Sequence, residues 1–324
     1  MRAQDSATRS GAVAARPATT PAPPAAGPSG ASRRATGTVT AALGVLAFSF
    51  SFPATAWALT GFGPWTATGL RGLLAGLIAA LCLAAARVPL PERRHWPGLL
   101  VVSASCVLGF PLLTTLALRT SSTAHSAVVI GLLPPATACF AALRSRREGR
   151  RPSRLFWGAS LAGAVAVLGF TLVQSHGRPG PADLFLFAAL LVCAAGYAEG
   201  GRISRELPGW QVIGWAVVAA LPVTALTTVL ALPAEPVPLG GGSGAKAVAG
   251  LLYTAAVSQF GGFVVWYRGM ALIGVPRASQ LQLAQPLVTL VWSVLLLGEE
   301  LPAAAPVTAG VVLLCIALTQ RARV

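Results

Sequence analysis

SAVVIGLLPPATA at residues 126–138 and ASQLQLAQPLVTL at residues 278–290 are two versions of one segment, and their relation decides the architecture. Each follows an Ala-Leu pair (Ala117-Leu118 and Ala271-Leu272) and a short connection. Setting Pro134 on Pro286 fixes an offset of 152 residues, and the same offset carries Gly158 onto Gly310. The chain therefore reads as two copies of one unit.

Both segments lie in apolar runs of roughly twenty residues, the length a helix needs to cross about 30 Å of hydrocarbon. Working outward, such runs fall at 38–58, 64–86, 97–118, 122–143, 155–173, 183–203, 210–232, 247–268, 278–297 and 302–319. The offset sets the fourth run on the ninth and the fifth on the tenth, so each copy holds five. Five is odd, so the second copy enters the membrane from the opposite side to the first. The expected fold is an all-α polytopic membrane protein with ten transmembrane helices arranged as two inverted five-helix repeats. The expected divisions are a disordered cytoplasmic tail over 1–36, a first repeat over 37–175 and a second over 182–320.

Composition fits that solvent. Of 324 residues, 55 % are hydrophobic and only 10 % charged, and the mean hydropathy is +0.70, leaving too little polar surface for a water-soluble chain of this length. The net charge of +15 sits in short connections rather than on one soluble face, which argues against nucleic acid as a partner. Placing the N-terminus in the cytoplasm gives the inside connections and the C-terminal end fifteen Arg residues. The outside connections then hold only Arg119, Arg178 and Lys246. This is the positive-inside pattern, and it puts both termini of a multi-pass cell-membrane protein in the cytoplasm. Trp96, Trp157, Trp210 and Trp266 near the inner borders, and Trp57 and Trp65 near an outer one, suit the headgroup level. The first 36 residues, with ARPATTPAPPAAGPSGASRR, are too poor in large apolar groups to build a core and lack the apolar stretch of a signal peptide.

All five cysteines lie inside apolar runs without CxxC or Cys/His spacing, so neither a disulfide nor a metal is expected. No paired acid, nucleophile–base pair or GxxxxGK loop stands in the spans, so the chain is not expected to be an enzyme, to hydrolyse ATP or to hold a cofactor.

Ionisable and polar groups within spans are costly and mark function. Arg71 lies about two turns into the second span, roughly 10–12 Å deep at 1.5 Å per residue, where a guanidinium can hold a carboxylate or phosphate by paired hydrogen bonds. His125 begins the fourth span and is either a proton or substrate contact or an interfacial residue. Glu199 is a coupling-ion candidate, or a local partner of Arg202 at i,i+3. In the ninth span Ser279, Gln282, Pro286, Thr289 and Ser293 recur at helical spacing, with Gln285 beside them. Gln259, Gly262 and Trp266 form a similar stripe in the eighth. Arg71, His125, Gln259, Gln282, Gln285 and Thr289 are the expected substrate contacts, although stripes of this kind also join helices. Pro134 and Pro286 are expected helix kinks at equivalent places. Gly72 with Gly76, and Gly196 with Gly200, have the spacing of close helix contacts.

Residues 247–318 resemble the EamA-type transporters of the drug/metabolite transporter superfamily. Tyr267, Ala271-Leu272, Ala278-Ser279, Pro286 and Leu297-Gly298-Glu299 follow the family's order, with Gly310 in the last apolar run. Arg71, Pro134 and Gly158 fit it more loosely in the first half, and ALRSRREGRR stands where the family has Gly-Glu after the fourth span. The resemblance implies export or exchange of a small metabolite. Inverted repeats are an architecture of secondary transporters working by alternating access, with the substrate path at the repeat interface. The partners so implied are a small-molecule substrate, such as an amino acid or related compound, and the lipid bilayer; a homodimer is left open. The competing reading is a non-transporting helical membrane scaffold or receptor.

Overall fold

The computed structural model describes residues 30–145, 153–174, 180–235, 237, 242–273, 281–282 and 284–321. Every regular element among them is helical. The elements are α1 (Gly30–Ser49), α2 (Ser51–Ala58), α3 (Pro64–Ala85), α4 (Trp96–Val102), α5 (Phe110–Ala117), α6 (Thr123–Ile130), α7 (Leu133–Ser145) and α8 (Arg154–Gln174). The second half holds α9 (Pro181–Ile203), α10 (Gly209–Ala219), α11 (Leu221–Ala234), α12 (Gly242–Leu252), α13 (Gly262–Ile273), α14 (Ala284–Leu297) and α15 (Ala304–Arg321).

Lipid as solvent is written in the side chains. Leu81, Leu184, Val229, Leu295 and Leu314 are all exposed on helix faces, whereas Thr55, Thr114, Thr115 and Thr228 are buried. Each of these threonines donates its hydroxyl to the carbonyl four residues earlier, which satisfies the group within its own helix. Arg34–Ala58, Pro64–Ala85, Arg93–Ala117, Pro181–Ile203 and Gly244–Ile273 are each long and apolar enough to cross a membrane. The pair α10 and α11 makes a sixth if taken as one span bent by 43°. Shorter apolar helices run over Trp157–Val173, Ala284–Leu297 and Ala304–Cys315.

Several expected spans are not straight helices. The first reaches back to Gly30, seven residues into the stretch read as tail, with Thr38 Oγ1 donating to the Arg34 carbonyl at 3.0 Å, and it breaks at Phe50. The fourth breaks at Gly131–Leu132, just ahead of Pro134 at the start of α7. The seventh breaks at Ala220, ahead of Pro222. In both, a proline that cannot donate to the previous turn begins the new helix. The opening of the ninth run, Ala278-Ser279 included, lies outside the described residues.

The third and eighth runs carry a feature that periodicity cannot reveal. Ser103–Gly109 and Tyr253–Gly261 are π-helical, with bonds closing over five residues instead of four. They end on Gly109 and Gly261, separated by the same 152 residues as Pro134 and Pro286.

Packing repeats the sequence symmetry. α1 lies along α13 and α14, while α9 lies along α5 and α7; α3 meets α11, α6 meets α14, and α8 meets α15. Exchanging the halves by the 152-residue offset maps α1·α13 onto α9·α5 and α1·α14 onto α9·α7, and α3·α11 and α8·α15 each onto itself. Small residues allow the closest approaches. A Cβ on Gly72 would collide with Thr224, one on Gly196 with Ser105 and Cys106, and one on Gly269 would stand 2.7 Å from the Ala41 Cα. Gly200 has ordinary room.

Candidate functional site

Between the halves lies a cleft of about 640 Å3, open solvent included. It draws residues from α1, α2, α3, α5, α6 and α7, and from α9, α13, α14 and both π-helical stretches. α8 and α15 stay at the periphery. A second space of about 400 Å3 adjoins it, sharing Phe52, Ile130, Leu133 and Gln285.

Arg71 lies at the wall of the larger space, 8 % exposed. Its Nε donates to Gln259 Oε1 at 2.8 Å and its Nη2 to Ser258 Oγ at 3.3 Å. Ser258 is held in turn by Ser51 at 2.7 Å, and Gln259 Nε2 donates to the Cys106 carbonyl at 3.3 Å. Both supports of the guanidinium come from the second π-helical stretch, and the carbonyl comes from the first. Among the described residues Arg71 has no carboxylate partner. A charged side chain at such depth costs about 2.5–3.5 kcal/mol in a helix facing lipid. Here the packed amide, hydroxyl and open cleft take the place of lipid.

The other expected contacts divide. Gln259 and Gln285 line the larger space, and Gln282, Gln285 and Thr289 line the smaller, with Pro134 and Pro286 on its wall. Thr289 Oγ1 also donates to the Ser49 carbonyl at 2.8 Å, tying α14 to the end of α1. His125 lines neither space. Its Nε2 is 2.8 Å from Asp183 Oδ1 and its ring stacks on Phe170 at 5.3 Å, so it joins α6, α8 and α9. Glu199 accepts from Arg202 Nη2 at 2.7 Å and Nε at 3.1 Å, as a local pair on one helix face. Ser279 lies outside the described residues.

Sequence reasoning passed over Ser51, Ser258, Cys106 and four phenylalanines of the larger space, Phe48, Phe52, Phe110 and Phe263. An apolar residue in an apolar run carries no mark of which way it points. Ser258 adjoins Gln259 and was open to the same argument.

The Leu297-Gly298-Glu299 motif acquires a physical role. Gly298 has φ +66°, a left-handed conformation that glycine adopts without strain, and it ends α14. The turn aims Glu299 across to the first half, where its carboxylate accepts from the Thr123 N–H at 2.8 Å and the Ala124 N–H at 2.9 Å. Ser122 takes the His125 N–H at 3.1 Å, so three donors at the start of α6 are satisfied by side chains. Glu235, at the end of α11, accepts the Thr66 N–H at 2.8 Å at the start of α3 in the same manner. Glu299→Ala is expected to lower stability by about 1–2 kcal/mol, the usual worth of such a cap. Thermal unfolding in detergent reads this, with exposed Glu300→Ala as the unchanged control. Equal melting of both variants would remove the cap from the account. Elsewhere, His95 Nε2 lies 3.0 Å from Glu206, and its hydrogen bond holds the Glu206 carboxyl below the ordinary value for the group.

A helical bundle that exposes leucine, buries threonine and encloses a cleft of mixed polar and apolar lining between two related halves is a multi-pass membrane protein. The profile of the EamA-like transporter family matches residues 35–173 and again residues 180–321. The chain belongs to the EamA-like transporter family and carries two of its repeats. It is 40 % identical over 279 residues to the "Uncharacterized transporter YdeK" of Bacillus subtilis (strain 168), covering 86 % of this chain and 95 % of that protein. A solved crystal structure 18 % identical in sequence matches 88 % of this chain and 98 % of its own, with a TM-score of 0.60, which shows the shared fold. The protein is a membrane transporter.

Proposed function

We propose that the protein is a secondary transporter, an exporter or exchanger, moving a small metabolite across the cytoplasmic membrane by alternating access. The substrate class from which this reading starts is an amino acid or related compound. One observation carries it: a buried cation without a counter-ion among the described residues faces a cleft to which both repeats contribute. In this reading the helices make ten crossings in two inverted sets of five, with both termini cytoplasmic. The bent and broken helices then count as single spans. Two oppositely oriented copies of one unit can exchange shapes, which opens the cleft first to one side and then to the other. Catalysis has no part in the reading, and neither has a resident cofactor.

Gln282 and Gln285 line the smaller space and are polar contacts along the substrate path, whereas Glu199 remains a coupling candidate only through its pair with Arg202. Purified protein in liposomes, loaded in turn with amino acids, organic acids, sugars, nucleotides and cationic drugs, is expected to show counterflow of at least one class. Gln282→Ala is expected to slow that flux several-fold while inserting normally. Absence of flux across the whole panel from folded, inserted protein would favour the scaffold or receptor reading instead.

A further inference from the structure

Charge balance in the cleft narrows the substrate. Among the described residues lining the two spaces, Arg71 is the one charged side chain; none is Asp, Glu or Lys. A guanidinium has five N–H groups. Two of them are bound, by Gln259 and Ser258. Both N–H groups on Nη1 and one on Nη2 therefore lack a protein partner among the described residues. With Ser258 on the Nη2 hydrogen of the Nε edge, the open Nη2 N–H and its neighbour on Nη1 form the end-on fork that matches the two oxygens of a carboxylate.

That fork is already fixed in place. Gln259 and Ser258 hold the Nε side, and the Cys106 carbonyl and Ser51 hold Gln259 and Ser258. A ligand therefore meets a donor pair whose ordering cost has been met within the protein. Around it stand Phe48, Phe52, Phe110, Phe263, Ile130 and Leu133, an apolar wall that suits a hydrocarbon body.

We infer that the cleft takes a small organic monocarboxylate, its two oxygens on the open fork of Arg71 and its apolar body against the phenylalanines, in preference to zwitterions, dianions and cations. One anionic charge brings the buried site to neutrality. A second would go uncompensated, which disfavours dicarboxylates and phosphate dianions, because unpaired charge in a desolvated site is costly. An ammonium group beside the carboxylate would stand near the guanidinium with no acid among the described lining residues to receive it. An amine alone would add like charge to like. The inference rests on reading this cleft as the substrate site of a transporter.

Matched ligands that share a body and differ in charge test it. One series is 3-phenylpropionate, phenylalanine, benzylmalonate and 2-phenylethylamine; another is 4-methylpentanoate, leucine and 3-methylbutylamine. Binding to the full-length protein is measured by calorimetry in detergent, and movement by counterflow in liposomes. In at least one series the monocarboxylate is expected to bind at least tenfold more tightly than its zwitterionic and cationic counterparts and, in the phenyl series, than the dianion. Arg71→Gln is expected to erase that ranking, while Arg71→Lys, which keeps the charge and loses the fork, keeps the ranking at reduced affinity. The comparison within the unmodified protein stands even if a variant fails to fold. Equal or tighter binding of the amino acid or amine, a ranking that survives Arg71→Gln, or no binding by any member of either series overturns the inference. Binding of the monocarboxylate without flux would uphold the site and defeat the transport reading. Flux of zwitterions or amines without carboxylate binding would do the reverse.

Discussion

Flux through Arg71→Ala is expected to fall by at least about thirtyfold, with the protein still inserted and folded. Truncating one partner of a buried charge-assisted contact costs about 2–5 kcal/mol, and roughly 2 kcal/mol already makes a factor of about thirty in binding. The effect on folding is smaller, because two changes oppose each other. Gln259 Oε1 and Ser258 Oγ lose their donor, at about 1–3 kcal/mol for groups left unsatisfied. Against this, a cation without a counter-ion among the described residues is removed from the middle of the bundle, where it cost a similar amount. The melting temperature in detergent is therefore expected to stay within a few degrees of the parent, so lost flux reports the site rather than misfolding. Undiminished counterflow by Arg71→Ala, across every class the parent moves, would remove Arg71 from the transport path.

The second large effect belongs to Gly269→Val. Gly269 is buried where α13 crosses α1, and a Cβ there meets the Ala41 backbone rather than a side chain that can turn away. The same contact holds Ala41, Val45, Phe48 and Trp266 in one cluster, and Phe48 is also a wall of the cleft. Forcing the helices apart is expected to cost about 3 kcal/mol, at the upper end for overpacking. A fall of about 4–5 °C in melting temperature follows for a chain of this size. Flux is expected to fall with it. Arg71→Ala and Gly269→Val thus separate two ways of losing activity: the first spares stability and the second does not. A normal melting curve for Gly269→Val would mean that α1 and α13 are not this close.

Much of this was legible in the chain. Run length shows lipid as the solvent, and the offset between Pro134 and Pro286 shows a repeat that the family match then finds at residues 35–173 and 180–321. Arg71 stood out because charge within an apolar run has few explanations, and Gln259, Gln285 and Thr289 because they break a pattern. What stayed hidden has physical reasons. Ser258 lies 187 residues from Arg71, and no local pattern reports a partner at that distance. The phenylalanines of the cleft look like lipid-facing residues until the helices are assembled. His125 is a polar residue at a helix start, and only the fold brings Asp183 to it. The break at Ala220 follows from Pro222, yet a proline inside a membrane helix is tolerated often enough that its presence does not announce a bend.

The π-helical stretches have a consequence for aim. A ring closed over five residues holds one residue more than an α-helical ring, and each residue turns a helix by about 100°. The surplus residue in Tyr253–Gly261 thus rotates the two ends of one long helix relative to each other, like the offset between two cams on a shaft. Ser258 and Gln259 look at Arg71, while Trp266 and Gly269, less than three turns on, look at α1. The offset is shared between the cleft and the neighbour that frames it, since Phe263 just past the stretch still lines the cleft. The matching stretch at Ser103–Gly109 gives the first half the same freedom, presenting the Cys106 carbonyl to Gln259 across the seam.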